Sequence, residues 1–162
     1  MIEMKITSTI KRQLCILLAA IVLFFTAPVS ADETSPHTIL VIGDSISAAY
    51  GLATEDGWVA KLRDKLKEEN YPLKVVNASV TGDTSGNGLS RLPDLLIEYQ
   101  PALVIIELGG NDGLRGLPPS RLKENLSSMA NQSKDVGADV IIVAVQLPGN
   151  YGKAYNLSLI HI

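Results

Sequence analysis

Ser45 lies in a polar turn that ends a strongly apolar stretch of the chain. Ile39–Ile42 is apolar and mostly β-branched, which is typical of a buried strand in a parallel sheet. The run ends at Gly43-Asp44-Ser45, where Asp and Ser are favourable first residues for a helix. Such a turn places the Ser45 hydroxyl at the carboxyl end of a strand, where open α/β sheets bind ligands. Ser45 is therefore a candidate nucleophile, and helix capping is the alternative.

Two further polar turns follow later predicted strands. Gly82 lies in a glycine-rich loop after Leu73–Asn77, and Asn111 follows Leu103–Leu108. Acyl transfer needs a nucleophile, a base, and N–H donors for the developing oxyanion. The backbone N–H of Gly82 is not shielded by a side chain, and an asparagine amide donates without titrating. Together with the N–H of Ser45, these groups form a candidate oxyanion hole.

The carboxylates in these turns have a catalytic and a structural interpretation. Asp44 can act as an acid or base, or it can orient its turn by accepting hydrogen bonds from backbone N–H groups. Asp112 is interpreted as a structural partner, and Arg115 is its candidate ion-pair partner. Arg115 is assigned with equal weight to a substrate-covering loop or to the solvated surface. We treat Asp44 and Asp112 as supporting residues of the site.

Strands and helices alternate along the chain. Apolar residues recur at helical spacing in three segments and form short runs in four predicted strands, the fourth at Asp139–Val145. Pro93 is expected to kink or restart the second helix, and Gly137 to end the third. This alternation predicts an α/β fold with a parallel sheet, right-handed crossovers and helices on both faces. Because the loops after parallel strands share one edge, we expect Ser45, Gly82 and Asn111 to converge.

Three blocks of this sequence resemble the SGNH (GDSL) hydrolases. They are Gly43–Ser47, Gly82 within its polar loop, and Gly109–Asp112. The longer strings Glu107–Gly116 and Leu147–Gly152 are similar to the bacterial thioesterase, lysophospholipase and arylesterase members.

The resemblance implies a flavodoxin-like three-layer sandwich and an acyl-enzyme on Ser45, with Gly82 and Asn111 in the oxyanion hole. It also implies small acyl esters or thioesters as substrates. Neither a cofactor nor a metal is expected.

The fourth block of the family, an Asp and a His spaced D-x-x-H, has no counterpart here. His37 precedes the first strand, at the end opposite the polar turns, and His161 has Ser158 rather than Asp three places before it. We therefore expect the domain to be incomplete at its C terminus, without its last strand and helix, and the chain as given to be inactive. A catalytically silent, acyl-chain-binding relative is the alternative function.

The first part of the chain has the pattern of a secretory signal. Basic residues precede the apolar run Leu14–Phe25, which is too short to span a membrane, and Val29-Ser30-Ala31 forms a small-x-small cleavage site. We therefore predict a signal peptide at 1–31 and an SGNH hydrolase domain at 32–162, with an uncleaved membrane anchor as the alternative. The prediction places the mature protein in the periplasm or outside the cell, without stable membrane insertion.

Composition and motifs argue against other classes. The net charge of −3 disfavours a nucleic-acid partner, and a monomer is expected. An α/β-hydrolase elbow requires G-x-S-x-G, whereas position 47 is Ser. A phosphate cradle at Gly82–Gly88 lacks the Lys-Ser/Thr pair of a P-loop.

Overall fold

The computed structural model describes residues 37–144. The predicted signal peptide, the Leu147–Gly152 string and His161 lie outside the described residues. The strands are β1 (His37–Gly43), β2 (Leu73–Asn77), β3 (Leu103–Glu107) and β4 (Asp139–Ile142). The helices are α1 (Trp58–Glu68), α2 (Ser85–Tyr99), α3 (Gly110–Leu114) and α4 (Pro119–Asp135), with a short 3-10 helix at Thr54–Asp56.

The strands form a parallel sheet in the order β2-β1-β3-β4. Strand β1 lies between β2 and β3, and its residues from Ile39 to Gly43 are buried. The strand order matches the start of a flavodoxin-like sheet. The predicted α/β class and parallel sheet are confirmed, and the loops that follow β1, β2 and β3 lie at one edge.

Helices cover both faces of the sheet. Leu40 and Ile42 of β1 pack on one face in a cluster with α2 and α4. Ile39 and Val41 pack on the opposite face with α1. Because successive strand side chains point to opposite faces, β1 contributes to both cores, which explains its continuous apolar run. The three-layer arrangement follows.

Helix α2 begins with a capping box and is continuous to Tyr99. The Thr84 side chain accepts a hydrogen bond from the Asn87 N–H, and the Asn87 side chain accepts one from the Thr84 N–H. Pro93 lies inside this helix at an exposed position, so the predicted restart at Pro93 is wrong. The strong cap and the packing of Leu92 and Leu96 outweigh the single backbone hydrogen bond that proline removes.

Helix α4 ends at a glycine, as the sequence predicts. Gly137 has a φ of 87°, a conformation that other residues rarely adopt. Its N–H donates to the Lys134 carbonyl, and the Ala138 N–H donates to the Ser133 carbonyl. This pair of bonds satisfies two of the last helical carbonyls and directs the chain into β4.

Strand β4 is the last strand at its side of the described sheet. Val140 and Ile142 are half-buried against the core cluster on the α4 side, whereas Ile141 and Val143 are exposed on the other face. Within residues 37–144, no helix has the length and apolar character that crossing a bilayer requires.

Candidate active site

Ser45 lies in a tight turn that follows β1. The Asp44 carbonyl accepts from the Ala48 N–H at 2.9 Å, and the Ser45 carbonyl accepts from the Tyr50 N–H at 3.0 Å. The Ser45 hydroxyl is half-buried and makes no hydrogen bond with the described residues. No regular helix begins at Ser45, so it has no capping role here. Its Oγ is therefore available to a ligand at the carboxyl edge of the sheet.

Asp44 is buried at the start of this turn, with 3% of its surface exposed. Its Oδ1 accepts from the Ile46 N–H at 3.0 Å, and its Oδ2 accepts from the Asn111 side chain at 3.1 Å. The first bond is the turn-orienting interaction considered as the structural interpretation of this residue. The second joins the turn after β1 to the one after β3.

Asn111 connects all three polar loops. It lies in the first turn of the short helix α3, where a plain turn was predicted. Its Nδ2 donates to Asp44 Oδ2 at 3.1 Å and to the Asp83 carbonyl at 2.9 Å. Asp44 precedes Ser45 and Asp83 follows Gly82, so these two bonds bring the three predicted site residues together. Both amide hydrogens of Asn111 are engaged in this arrangement.

Gly82 has a φ of 86°, a conformation that favours glycine. Its N–H donates to no described group, so this N–H and that of Ser45 are both free within residues 37–144. The Gly82 carbonyl accepts from the Arg115 guanidinium at 2.8 Å. Arg115 is exposed, and this hydrogen bond links the end of α3 to the Gly82 turn.

Asp112 is buried against the N-terminus of helix α2, with 1% of its surface exposed. It accepts from the Ser85 N–H at 2.8 Å and from the Ser85 hydroxyl at 2.5 Å, and Asn125 of α4 donates to the same hydroxyl at 2.8 Å. The structural interpretation of Asp112 therefore holds through Ser85, and not through an ion pair with Arg115, whose guanidinium donates to the Gly82 carbonyl. A protein carboxylate therefore occupies the place that a phosphate would take in the cradle considered above.

Asp83 and Arg91 form a partly buried ion pair that holds the loop after β2. Arg91 Nε and Nη2 lie 3.1 and 2.6 Å from Asp83 Oδ2, and Arg91 Nη1 donates to the Ala78 carbonyl at 3.1 Å. Because Asp83 follows Gly82 directly, this pair fixes the backbone that presents the Gly82 N–H.

Glu107 is missing from the residues that the sequence singled out. It lies at the end of β3 with 3% of its surface exposed, and its Oε2 accepts from the Ser47 hydroxyl at 2.7 Å. Burial raises the pKa of Glu107, and the nearby charge of Asp44 adds to this rise. The hydrogen bond from the Ser47 hydroxyl opposes the rise. A charged residue at the end of an apolar strand is the sequence signal that points to it.

His37 lies at the first residue of β1 and is exposed. The length of this strand separates it from Ser45 by a distance on the order of 20 Å. His37 is therefore not a base for Ser45, and within residues 37–144 no other histidine is present.

The sequence of these loops and the fold that carries them match one protein family. Residues 41–158 match the model of the GDSL-like lipase/acylhydrolase family. The chain belongs to this family. Its first polar turn, Gly43–Ser47, lies within the matched range.

Three relatives of this acylhydrolase family show how much of the chain is shared. The esterase TesA of Pseudomonas aeruginosa is 57% identical over 124 residues, which cover 76% of this chain and 62% of TesA. The arylesterase of Vibrio mimicus is 48% identical over 139 residues, covering 86% and 68%. The thioesterase 1/protease 1/lysophospholipase L1 of Escherichia coli K12 is 44% identical over 119 residues, covering 74% and 56%. The chain thus matches between 56% and 68% of the length of these relatives.

The fold agrees with the acylhydrolase assignment. The crystal structure of TesA superimposes with a TM-score of 0.73 at 57% identity, over 76% of this chain and 68% of TesA. The parallel sheet and its helices are therefore those of the GDSL family.

Proposed function

We propose that this protein is an exported serine hydrolase that cleaves acyl esters and thioesters, with Ser45 as its nucleophile. The observation that carries the proposal is the pair of hydrogen bonds from Asn111 to Asp44 and to Asp83. Within residues 37–144, they bring a serine hydroxyl and two backbone N–H groups without hydrogen-bond partners, together with an amide, to one edge of the sheet. Relatives named esterase, arylesterase and thioesterase/lysophospholipase support this substrate class.

The proposed reaction is acyl transfer in two steps. Ser45 Oγ attacks the carbonyl carbon, its proton passes to a general base, and the N–H groups of Ser45 and Gly82 and the Asn111 amide stabilise the oxyanion. Collapse of the tetrahedral intermediate expels the alcohol or thiol, which takes up the proton. Water then hydrolyses the acyl-enzyme and restores Ser45. His37 is too distant for this role, so the proposal places the base outside the described residues.

The test is labelling of Ser45 in the protein purified from the cells that produce it. A fluorophosphonate probe should attach once, on the peptide that contains Ser45. An acyl p-nitrophenyl ester, an acyl-CoA and a lysophospholipid serve as the assay substrates. Ser45→Ala should abolish labelling and lower turnover by roughly 10⁴- to 10⁶-fold.

Ser133→Ala is the matched control, because it removes a buried hydroxyl in α4 away from the candidate site. Unlabelled protein without turnover would contradict the hydrolase proposal. Retained binding of a non-hydrolysable acyl ligand would then favour the acyl-chain-binding alternative.

Export is tested separately from catalysis. We propose cleavage after Ala31, because small residues at Val29-Ser30-Ala31 follow the short apolar run. The mature protein should be recovered from the periplasm or the medium with Asp32 as its first residue. Recovery in the membrane fraction with residues 1–31 intact would support the anchor alternative instead.

A further inference from the structure

Glu107 is a buried acidic side chain that the proposed reaction does not use. Its Oε2 accepts from Ser47, but its Oε1 is buried and has no hydrogen-bond partner among the described residues. Burying a carboxyl group with one oxygen unpaired is unfavourable, so most such groups in folded proteins are fully paired. The neighbours of Glu107 indicate what this unfavourable arrangement achieves.

Ser47 links Glu107 to the turn that carries Ser45. The Ser47 hydroxyl donates to Glu107 Oε2 at 2.7 Å and accepts from Trp58 Nε1 of α1 at 3.1 Å. The Ser47 carbonyl accepts from the Asn77 side chain at 2.8 Å. Ser47 is 1% exposed and is therefore held by β3, by α1 and by the end of β2 at once.

The space around Ser47 is closed on the side of β1 as well. A Cβ atom at Gly43 would lie 2.6 Å from Ser47 Oγ and 3.0 Å from the Glu107 carbonyl oxygen. Glycine at position 43 therefore allows the turn to fold back closely onto β3. Ser45 lies between Gly43 and Ser47, so its backbone direction depends on where both of them are held.

We propose that Glu107, acting through Ser47, is a positioning residue that fixes the turn from Asp44 to Tyr50 and thereby directs the Ser45 hydroxyl toward a substrate. Glu107 touches neither the substrate nor the reacting atoms in this proposal. The kinetic part rests on the proposed function, whereas the structural part, the ordering of the turn, stands without it.

Amide hydrogen exchange tests the structural part. In Ser47→Ala the amides of Ala48 and Tyr50, which close the turn, should exchange about tenfold faster or more. Losing a buried hydrogen bond makes local opening of the turn easier, and the exchange rate rises by a factor of about this size. Ser133→Ala is the matched control, because its buried hydroxyl donates to the Met129 carbonyl at 2.9 Å within α4. It should leave these two amides unchanged. Equal exchange at Ala48 and Tyr50 in the parent and in Ser47→Ala would overturn the proposal, whether or not the protein hydrolyses esters.

Two substitutions of Glu107 test the kinetic part. Glu107→Leu keeps most of the volume but loses the acceptor for Ser47, whereas Glu107→Gln keeps an acceptor oxygen. With a p-nitrophenyl ester, Glu107→Leu should lower kcat by roughly 10- to 100-fold at unchanged KM, because small displacements of reacting groups have effects of this size. Glu107→Gln should restore most of that rate. A role in core packing alone predicts the opposite order, and that order would overturn the positioning role.

These outcomes separate the two proposals. A parent protein that hydrolyses no ester contradicts the proposed function, and the exchange rates at Ala48 and Tyr50 then still decide the ordering of the turn. An active parent with unchanged kcat in both Ser47→Ala and Glu107→Leu contradicts the positioning role and leaves the proposed function intact.

Discussion

The two ends of the sheet differ in how many polar groups they bury. At the amino end, His37 and Lys74 are exposed and Lys65 pairs with glutamates at the surface. At the carboxyl end, the loops and α3 bury carboxylates and hydroxyls. Among residues 37–144, the buried polar residues apart from Ser133 are all at this end: Asp44, Ser47, Asp83, Thr84, Ser85, Glu107 and Asp112.

This difference identifies the edge of the sheet that is built for more than folding. Buried polar groups are unfavourable unless they are paired, so a fold that only had to be stable would place few of them at one edge. Here they are paired across loops that are far apart in sequence, such as Asp112 with Ser85 and Asn111 with Asp44. The pairs fix the relative positions of Ser45, Gly82 and Asn111.

Among the residues other than Ser45, the largest effect is expected at Asn111. Asn111→Ala removes the proposed oxyanion donor and should lower kcat by roughly 10²- to 10³-fold, about 2.7–4 kcal/mol in the activation free energy. Steady-state kinetics on an acyl ester measure it. Asn131→Ala, at an exposed position of α4, is the control and should leave kcat unchanged. A rise in KM at unchanged kcat would show that Asn111 contributes to substrate binding and not specifically to stabilising the transition state.

A smaller effect, on stability, is expected at Asp112. Asp112→Ala leaves the buried N–H and hydroxyl of Ser85 without this acceptor, and should lower the free energy of unfolding by about 3 kcal/mol. Urea denaturation measures the change. The exposed carboxylate of Asp135 provides the control, and Asp135→Ala should change stability little. Similar losses in both variants would remove the distinction between the two kinds of carboxylate.

Glu107 should make the free energy of unfolding depend on pH. Burial raises the pKa of Glu107 above its ordinary value of 4.5, so the folded protein binds this proton more tightly than the unfolded chain does. The contribution of Glu107 to the free energy of unfolding is therefore fully present below the ordinary pKa and is lost as pH rises through the folded pKa.

Urea denaturation of the parent and of Glu107→Gln, from acidic to neutral pH, measures this contribution. The stability of the parent relative to the variant should decrease as pH rises. Ser133→Ala, which removes no titrating group, should differ from the parent by a constant amount. A pH-independent difference for Glu107→Gln would contradict the assignment.

The smallest effect is expected at the amino end. Lys65 Nζ lies 3.1 Å from Glu68 Oε2 and 2.9 Å from Glu69 Oε1, and the Lys65 side chain is 60% exposed. Solvent and salt screen such pairs, so Lys65→Ala should leave Tm and kcat unchanged within error. Thermal denaturation checks this. A clear loss of Tm would show that the two ends of the sheet do not differ in the way described.

Local patterns predicted the elements of this fold well. The bounds of β2 agree with the sequence, and β1, β3 and β4 lie at their predicted places because each is a short apolar run bounded by polar turns. The convergence of Ser45, Gly82 and Asn111 also follows from the pattern, since loops after parallel strands share one edge. These features depend on residues close together in the chain.

The partners of the buried carboxylates could not be predicted in this way. Asp112 has Arg115 three positions away, yet it pairs with Ser85, which is 27 positions away. Glu107 and Ser47 are 60 positions apart. Neither spacing leaves a periodic signal, because the contact depends on how β1, β3 and α2 pack together. Only the presence of a carboxylate at the end of an apolar strand hinted that a partner was needed.

The hydrogen bond from Asn111 to Asp44 has a consequence for selectivity between bound states. In the mechanism proposed above, an incoming carbonyl meets an amide whose two hydrogens already have acceptors. A neutral carbonyl oxygen is a weaker acceptor than a carboxylate, so the bound ester competes poorly for the hydrogen held by Asp44. Once negative charge develops on that oxygen, it accepts a hydrogen bond about as well as the Asp44 carboxylate does. Asn111 would then bind the transition state more strongly than the ester itself, and such differential binding accelerates a reaction.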